Sequence, residues 1–339
     1  MHKHLGILGV LILSGQAAFA SQIGLPQASP MAAKVDGLYD FLFWLSVVAL
    51  TGTTIALLLF VKKYHRSQKG RETAYILGSH TLEITWTVIP LLIMLFVFAW
   101  GYKDYVFSRL DPAGSVEVNV VGRQWLWNFE YPNGRKTMNE FYLPLGKPVK
   151  LILTSEDVIH SFYLPHMRTK TDVVPGMYVY LAFTPTLLGE HPVYCSMFCG
   201  TGHSDMLATL HVLEPADYDK WLATGKVSGV VKAAATEADG KPMSLAEKGA
   251  ALYASKGCVA CHTTDGTKKI GPSWKGIWGT EEELEGGGKA KVDENYIRES
   301  IMQPAAKIVK GYPPSMPPFA GLLNDEEVNA LIAYIKSLK

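Results

Sequence analysis

Residues 195–206 read Cys195-Ser196-Met197-Phe198-Cys199-Gly200-Thr201-Gly202-His203-Ser204-Asp205-Met206. Two thiols, an imidazole and a thioether follow one another at short spacing. Thiolate, imidazole and thioether together select copper or another soft metal. A one-copper electron-transfer site uses one cysteine, two histidines and a weak methionine. The second cysteine points instead to two thiolates bridging two copper ions, which share one electron with little geometric change. The stretch supplies a single imidazole, so a second must come from elsewhere. His160, after an apolar strand in Glu156-Asp157-Val158-Ile159-His160-Ser161, is the leading candidate, with His166, His191 and His211 as alternatives. A Cys195–Cys199 disulfide is the competing reading of the thiol pair.

The sequence around this stretch is β-patterned. Val116-Glu117-Val118-Asn119-Val120 alternates apolar and polar residues, and 149–153 and 177–183 are rich in β-branched and aromatic residues. Pro132-Asn133-Gly134, Pro175-Gly176 and Leu188-Gly189-Glu190 supply turns between them. These features predict a β-sandwich or Greek-key barrel over 112–224, closing with a short amphipathic helix at 216–224. The Gly-, Ala- and Lys-rich stretch 225–243 reads as a linker.

The other two of the four cysteines lie in Cys258-Val259-Ala260-Cys261-His262, the attachment pattern for a covalently bound haem c. The thiols form thioethers to the porphyrin, and the adjacent imidazole becomes an iron ligand. A structural zinc site wants four protein ligands, and no second cysteine pair remains in 244–339. This region reads as all-helical. Ser244 and Glu247 form a capping box, and Asn324-Asp325-Glu326-Glu327 opens a last helix. The acidic run 281–285 followed by three glycines reads as a solvated loop. The second axial ligand is expected to be a thioether, since a Met/His pair raises the reduction potential. Of Met243, Met302 and Met316, the last sits in the rigid loop Tyr312-Pro313-Pro314-Ser315-Met316-Pro317-Pro318-Phe319 and is the choice.

Toward the N-terminus, residues 1–20 carry Lys3, a short apolar run and Ala18-Phe19-Ala20, as a cleaved secretory signal does. Within 21–111, the runs 41–61 and 84–102 carry no charge. At about 1.5 Å per residue they reach roughly 31 and 28 Å, enough to cross a bilayer. They predict a transmembrane hairpin with helices at about 38–61 and 84–103, kinked at Pro90. Lys62, Lys63, Arg66, Lys69 and Arg71 crowd the connection, which places it in the cytoplasm and everything after about residue 104 outside. Net charge is +1, so no nucleic acid partner is implied. No nucleophile or acid–base dyad stands out.

The resemblance follows from these motifs. Residues 37–224 resemble subunit II of the haem-copper oxidases in Leu82-Glu83-Ile84-Thr85-Trp86 through Pro90, Gly122-Arg123-Gln124-Trp125-Leu126-Trp127 through Tyr131, Asp157-Val158-Ile159-His160-Ser161, and the 195–206 stretch. Residues 244–339 resemble a class I cytochrome c, and the fusion resembles the caa-type arrangement. The resemblance implies a cupredoxin-like domain holding the binuclear centre CuA. Its ligands would be His160, Cys195, the Met197 backbone carbonyl, Cys199, His203 and Met206. It implies Trp125 as the point where electrons enter, Glu83 in proton admission to subunit I, and Pro272 as the carbonyl that orients His262. It also implies subunit I, and with it subunit III, as partners in a bacterial inner membrane, with cytochrome c or a membrane carrier as donor. Met197 stands where the family commonly has a magnesium-binding glutamate, which puts that magnesium site in doubt. The expected function is electron transfer through haem c and CuA to an oxygen-reducing, proton-pumping subunit I. The alternatives are the same role in a nitric-oxide reductase, and a copper-delivery or redox-sensing membrane protein.

Overall fold

The computed structural model describes residues 24–65, 75, 77–110, 112–226 and 243–339. The signal sequence expected at 1–20 lies outside them, as do Arg66, Lys69, Arg71 and most of the linker. Two compact units divide at Leu110.

The first unit is a pair of helices, α1 (Pro30–Tyr64) and α2 (His80–Ser108). Both run past the limits expected from hydropathy. Hydropathy stops at the first charge, whereas backbone hydrogen bonding stops only at a cap. Ser29 Oγ accepts from Ala32 N with Pro30 in the first turn, and Ser79 Oγ accepts from Leu82 N. The polar turns holding Lys34, Asp36 and Asp40 thereby join α1. α2 is continuous through Pro90. Phe41 meets Phe96 and Trp100 at centroid distances of 5.5 and 5.8 Å. Gly37 and Gly101 admit Trp100 and Leu38 against the opposite backbone. Most of the apolar surface of both helices faces outward, which suits lipid and not water.

The second unit begins with a sandwich of two five-stranded sheets. One sheet contains β1 (Val116–Arg123), β2 (Leu126–Glu130), β3 (Lys136–Met138), β5 (Val149–Ser155) and β8 (Val179–Phe183), in the order β3-β2-β1-β5-β8. The other contains β4 (Glu140–Pro144), β6 (His160–Leu164), β7 (Thr169–Val173), β9 (Gly189–Cys195) and β10 (Leu207–Leu213), in the order β4-β10-β9-β6-β7. β1–β5 and β4–β10 pair in parallel, and the remaining neighbours antiparallel. Alternate residues of β5 are buried, as the period-two pattern requires. Trp127, Phe129, Phe141 and Phe162 fill the space between the sheets, with Phe129 stacked on Phe141 at 4.4 Å. The expected short helix is α3 (Pro215–Thr224), which packs Trp221 on Tyr131 and Tyr142.

The C-terminal region folds around α4 (Leu245–Ser255), α5 (Glu294–Met302) and α6 (Asp325–Ser337). The expected capping box is present at Ser244/Glu247, and the start expected for the last helix at 324–327 is a second one, Asn324/Glu327. Gly249 lets α4 cross α6 so closely that a Cβ there would lie 2.1 Å from the Ala330 carbonyl. One expectation fails. The segment read as a solvated loop forms the hairpin β11 (Glu281–Glu283) and β12 (Lys289–Lys291). Glu281 opposes Lys291 and Glu283 opposes Lys289, so opposite charges across the strands replace the apolar alternation that the pattern lacked. Leu126 and Met138 of the sandwich join the buried cluster of this region with Trp274, Ile301, Phe319 and Leu331.

Candidate functional site

Strand register assembles the first cluster. β6 pairs with β9 so that Phe162 faces Cys195, and Ser196 N donates to Ser161 O, which brings His160 beside the end of β9. The chain then turns through Gly200 and Gly202. Trp125 lies against these glycines, and a Cβ on Gly202 would fall 2.6 Å from its ring. A 3-10 turn, His203–Asp205, returns the chain to β10, with Met206 at its end. Cys195 N donates to Met206 O and closes the loop.

The donor atoms converge. Cys195 Sγ lies 3.8 Å from Cys199 Sγ, 3.9 Å from His160 Nδ1 and 3.3 Å from the Met197 carbonyl. Cys199 Sγ lies 3.5 Å from His203 Nδ1 and 3.7 Å from Met206 Sδ. A disulfide would need about 2.05 Å, so both cysteines are free thiols. His160, Cys195 and Cys199 are all buried and form one potential metal-binding group. A soft ion with two bridging thiolates fits this donor set. Of the alternative imidazoles, His166 and His191 hydrogen-bond to each other at 2.9 Å, and His211 stacks on Tyr142.

Electrostatics prepare the cluster. The Cys199 thiol donates to Cys195 and, with His160, holds Cys195 far below the usual thiol range against the cost of burial. Cys199 is correspondingly raised. Burial alone would depress His160, but its bonds to Cys195 and Asp157 outweigh burial and raise it. His160 Nε2 donates to Asp157 Oδ1 at 2.9 Å, which leaves Nδ1 facing the sulfur. Asp157 is fixed in turn by Gln124 N and Val158 N, at 2.8 and 2.6 Å. A carboxylate bonded to the far nitrogen of a ligand imidazole sets its tautomer and orientation. Asp157 and Gln124 were not among the residues expected from the sequence. The three-residue offset between Asp157 and His160 was the only local signal.

The second cluster lies on the 3-10 turn Cys258–Ala260 and the residues after it. His262 N donates to Cys258 O, and Gly271 N to Cys261 O. His262 Nδ1 donates to the Pro272 carbonyl at 2.8 Å, the orientation expected, and leaves Nε2 free as a ligand. Gly271 is required there, because a Cβ would come within 2.5 Å of His262 Cε1. Tyr253 OH donates to the His262 carbonyl at 2.6 Å. Burial depresses His262 and keeps it neutral. Burial also pushes the Cys258 thiol up to about 12 and the Cys261 thiol to about 11. The cleft above them is open to solvent on one side, is lined by Ile270, Ile297, Ile301 and Val309, and has both His262 and Met316 in its wall. Its apolar character fits a porphyrin. Met302 packs against the buried cluster and not into the cleft.

Trp125 lies at the first cluster, its Nε1 donating to the Cys199 carbonyl at 3.1 Å beside Gln124 Nε2 at 2.7 Å. Glu83 belongs to the other unit, in the first turn of α2, 3.5 Å from His80 Nδ1.

Three family descriptions match the chain. They are the transmembrane domain of cytochrome c oxidase subunit II over residues 18–103, its periplasmic domain over 134–213, and cytochrome c over 246–339. Cytochrome c oxidase subunit 2 of Alkalihalophilus pseudofirmus is 28% identical over 330 residues, which span 93% of this chain and 91% of that relative. The alternative cytochrome c oxidase subunit 2 of Bradyrhizobium diazoefficiens is 29% identical over 223 residues, 57% of this chain and 80% of the relative. The crystal structure of the periplasmic domain of subunit II of a Bradyrhizobium japonicum cytochrome oxidase covers 34% of this chain and 96% of its own, at 26% identity and a TM-score of 0.33. Copper and haem c are the cofactors these domain types imply, and subunit I is the partner. Matched along nearly its whole length, the chain belongs to the cytochrome c oxidase subunit II family, as a membrane-anchored, electron-admitting subunit that carries a C-terminal cytochrome c domain.

Proposed function

We propose that this chain accepts electrons from cytochrome c or a membrane carrier at its haem c, relays them to a CuA centre of two copper ions, and delivers them to subunit I of a caa-type oxidase, where oxygen is reduced to water with proton pumping. It would do so in the inner membrane of a bacterium, with subunit III alongside and residues 112–224 and 244–339 on the outer face. When bound, the two metal groups supply one-electron storage at low structural cost.

The chain's own residues supply the rest. His160, Cys195, the Met197 carbonyl, Cys199, His203 and Met206 would hold the copper ions. Cys258 and Cys261 would bond the porphyrin, with His262 and Met316 on the iron. Asp157 would keep His160 in the tautomer that presents Nδ1, and Pro272 would do the converse for His262, presenting Nε2. Glu83 would admit protons toward subunit I.

One observation carries this reading. Gln124 and Trp125 hydrogen-bond the Cys199 carbonyl, while Gln124 and Leu126 line a cavity shared with Cys258, Cys261 and His262. The run 124–126 therefore reaches both clusters, Trp125 at the first, Leu126 at the second and Gln124 at each, as an internal route for electrons requires. Trp125, with its large π system, is the residue in that route proposed to carry them.

The test is metal and haem analysis of the purified complex combined with electron-spin spectroscopy. Two copper ions giving a strongly coupled mixed-valence signal, and one covalent haem, are expected. Single exchangeable copper, or a Cys195–Cys199 cystine after native maturation, would overturn the reading. Replacing Met316 by Ala should alter the haem spectrum, and an unchanged spectrum removes Met316 as the ligand.

A further inference from the structure

Lys269 lies in the loop between the haem-attachment turn and Pro272, and none of the roles assigned above uses it. Its side chain bridges two turns from distant parts of the chain. Nζ donates to Asp205 Oδ2 at 2.8 Å and to the Val259 carbonyl at 2.7 Å. Asp205 sits in the 3-10 turn between His203 and Met206. Val259 sits in the 3-10 turn between Cys258 and Cys261. The two turns pack directly on each other.

The surroundings explain why this contact is specific. The ammonium has a carboxylate on one side and a carbonyl on the other, and the side chain is only 24% exposed. Charge-assisted hydrogen bonds are about twice as strong as neutral ones, and water competes less at a partly covered site. The loop cannot pivot freely, because Gly271 N is bonded to Cys261 O and His262 Nδ1 to Pro272 O on its far side. A separate ion pair, Lys256 Nζ to Glu140 Oε1 at 2.6 Å, joins the same two regions just ahead of the haem-attachment turn. Lys269 is therefore not needed simply to hold the regions together. It acts where the two ligand-bearing turns pack on each other.

We propose that Lys269 is a positioning residue that clasps the His203–Met206 turn to the Cys258–Cys261 turn and so sets the gap across which electrons pass. This rests on the proposed function, since it presupposes that the turns carry copper and haem. The step concerned is transfer of one electron from reduced haem to the oxidised copper pair, with no atom or proton exchanged. Its rate falls steeply with separation, so a loosened clasp slows it without altering either centre.

The experiment uses the full-length protein in its complex and compares wild type with Lys269→Met, which keeps the apolar stem. Lys269→Arg is the conservative rescue, and Asp205→Asn probes the clasp from the other side. Copper and haem content and both spectra are measured first; their absence from wild type would overturn the proposed function, not the clasp. With both centres loaded, amide-exchange protection in 203–206 and 258–262 should fall about tenfold in Lys269→Met, the scale of one charge-assisted contact. Haem-to-copper electron transfer, followed after rapid photoreduction, should slow. Lys269→Arg should restore both, and Asp205→Asn should reproduce the loss in both turns. Wild-type exchange and rate in Lys269→Met would overturn the proposal. So would a loss of protection confined to 258–262, which would make Lys269 a brace for its own loop alone. If Lys269→Met fails to load either centre, Asp205→Asn decides by the same two readouts.

Discussion

The two clusters are built in opposite ways. Around Cys195 and Cys199 the donor atoms satisfy one another, each within 4 Å of a sulfur, beside a sandwich core filled by Trp127, Phe129, Phe141 and Phe162. Around Cys258 and Cys261 the polar contacts are few, and what dominates is a wide apolar cleft walled by Ile270, Ile297, Ile301 and Val309. A polar ligand set can be assembled in advance by hydrogen bonds, because unmetallated donors find partners in each other. An apolar cleft has no such substitute, and its walls lose contacts until something fills it. The first site is thus expected to tolerate loss of its ion, and the second to depend on its group for folding.

The largest expected effect breaks that comparison directly. In Cys258→Ser/Cys261→Ser the helical region should lose most of its stability, on the order of the roughly 5–15 kcal/mol that holds a typical domain together. Helical circular dichroism and exchange protection over 244–339 report this. In Cys195→Ser/Cys199→Ser the sandwich should melt cooperatively at a cost of about 1–3 kcal/mol, while copper binding disappears. Equal losses in the two variants would show that the copper cluster is as structural as the haem site.

A smaller effect sharpens the claim of pre-assembly. Asp157→Asn keeps the size of the side chain but weakens its grip on His160 Nε2. Copper affinity should fall about 10–100-fold, the usual cost of losing such a carboxylate. A competition titration measures it, and the haem spectrum serves as the internal control. Undiminished affinity would mean that β6 alone orients the imidazole.

The same contrast explains what could be read in advance. His203 and Met206 share a turn with Cys199, so their spacing was visible locally. His160 followed from the need for a second imidazole. Asp157 was harder to see, because its role depends on a turn that Gln124 holds from 33 residues away. Gln124 and Lys269 act across still longer separations, 75 and 64 residues, which no local pattern reveals. Hydropathy located both long helices but not their ends, which Ser29 and Ser79 set by capping. The 281–291 hairpin was missed because its strands pair through charge, and strand patterns are recognised by apolar alternation.

The smallest effect concerns pH in the copper-free protein. His160 has a raised pKa, so its contribution to stability is complete below its ordinary value of 6.5 and is lost as pH rises through the elevated one. Asp157 is lowered although burial opposes it, because Gln124 N and His160 outweigh that cost. Its contribution is complete above 3.8 and is lost as pH falls through the depressed value. The two windows overlap between about pH 4 and 6.5. Cys195 is depressed as well, but its contribution is largely common to wild type and Asp157→Asn and drops out of their difference. The difference in Tm between the two should therefore be greatest at mildly acidic pH, by a few degrees, and shrink on both sides. A difference that stays constant from about pH 5 to above pH 8 would mean that Asp157 stabilises the turn through Gln124 and Val158 alone. The imidazole would then owe its orientation to the sulfur it faces.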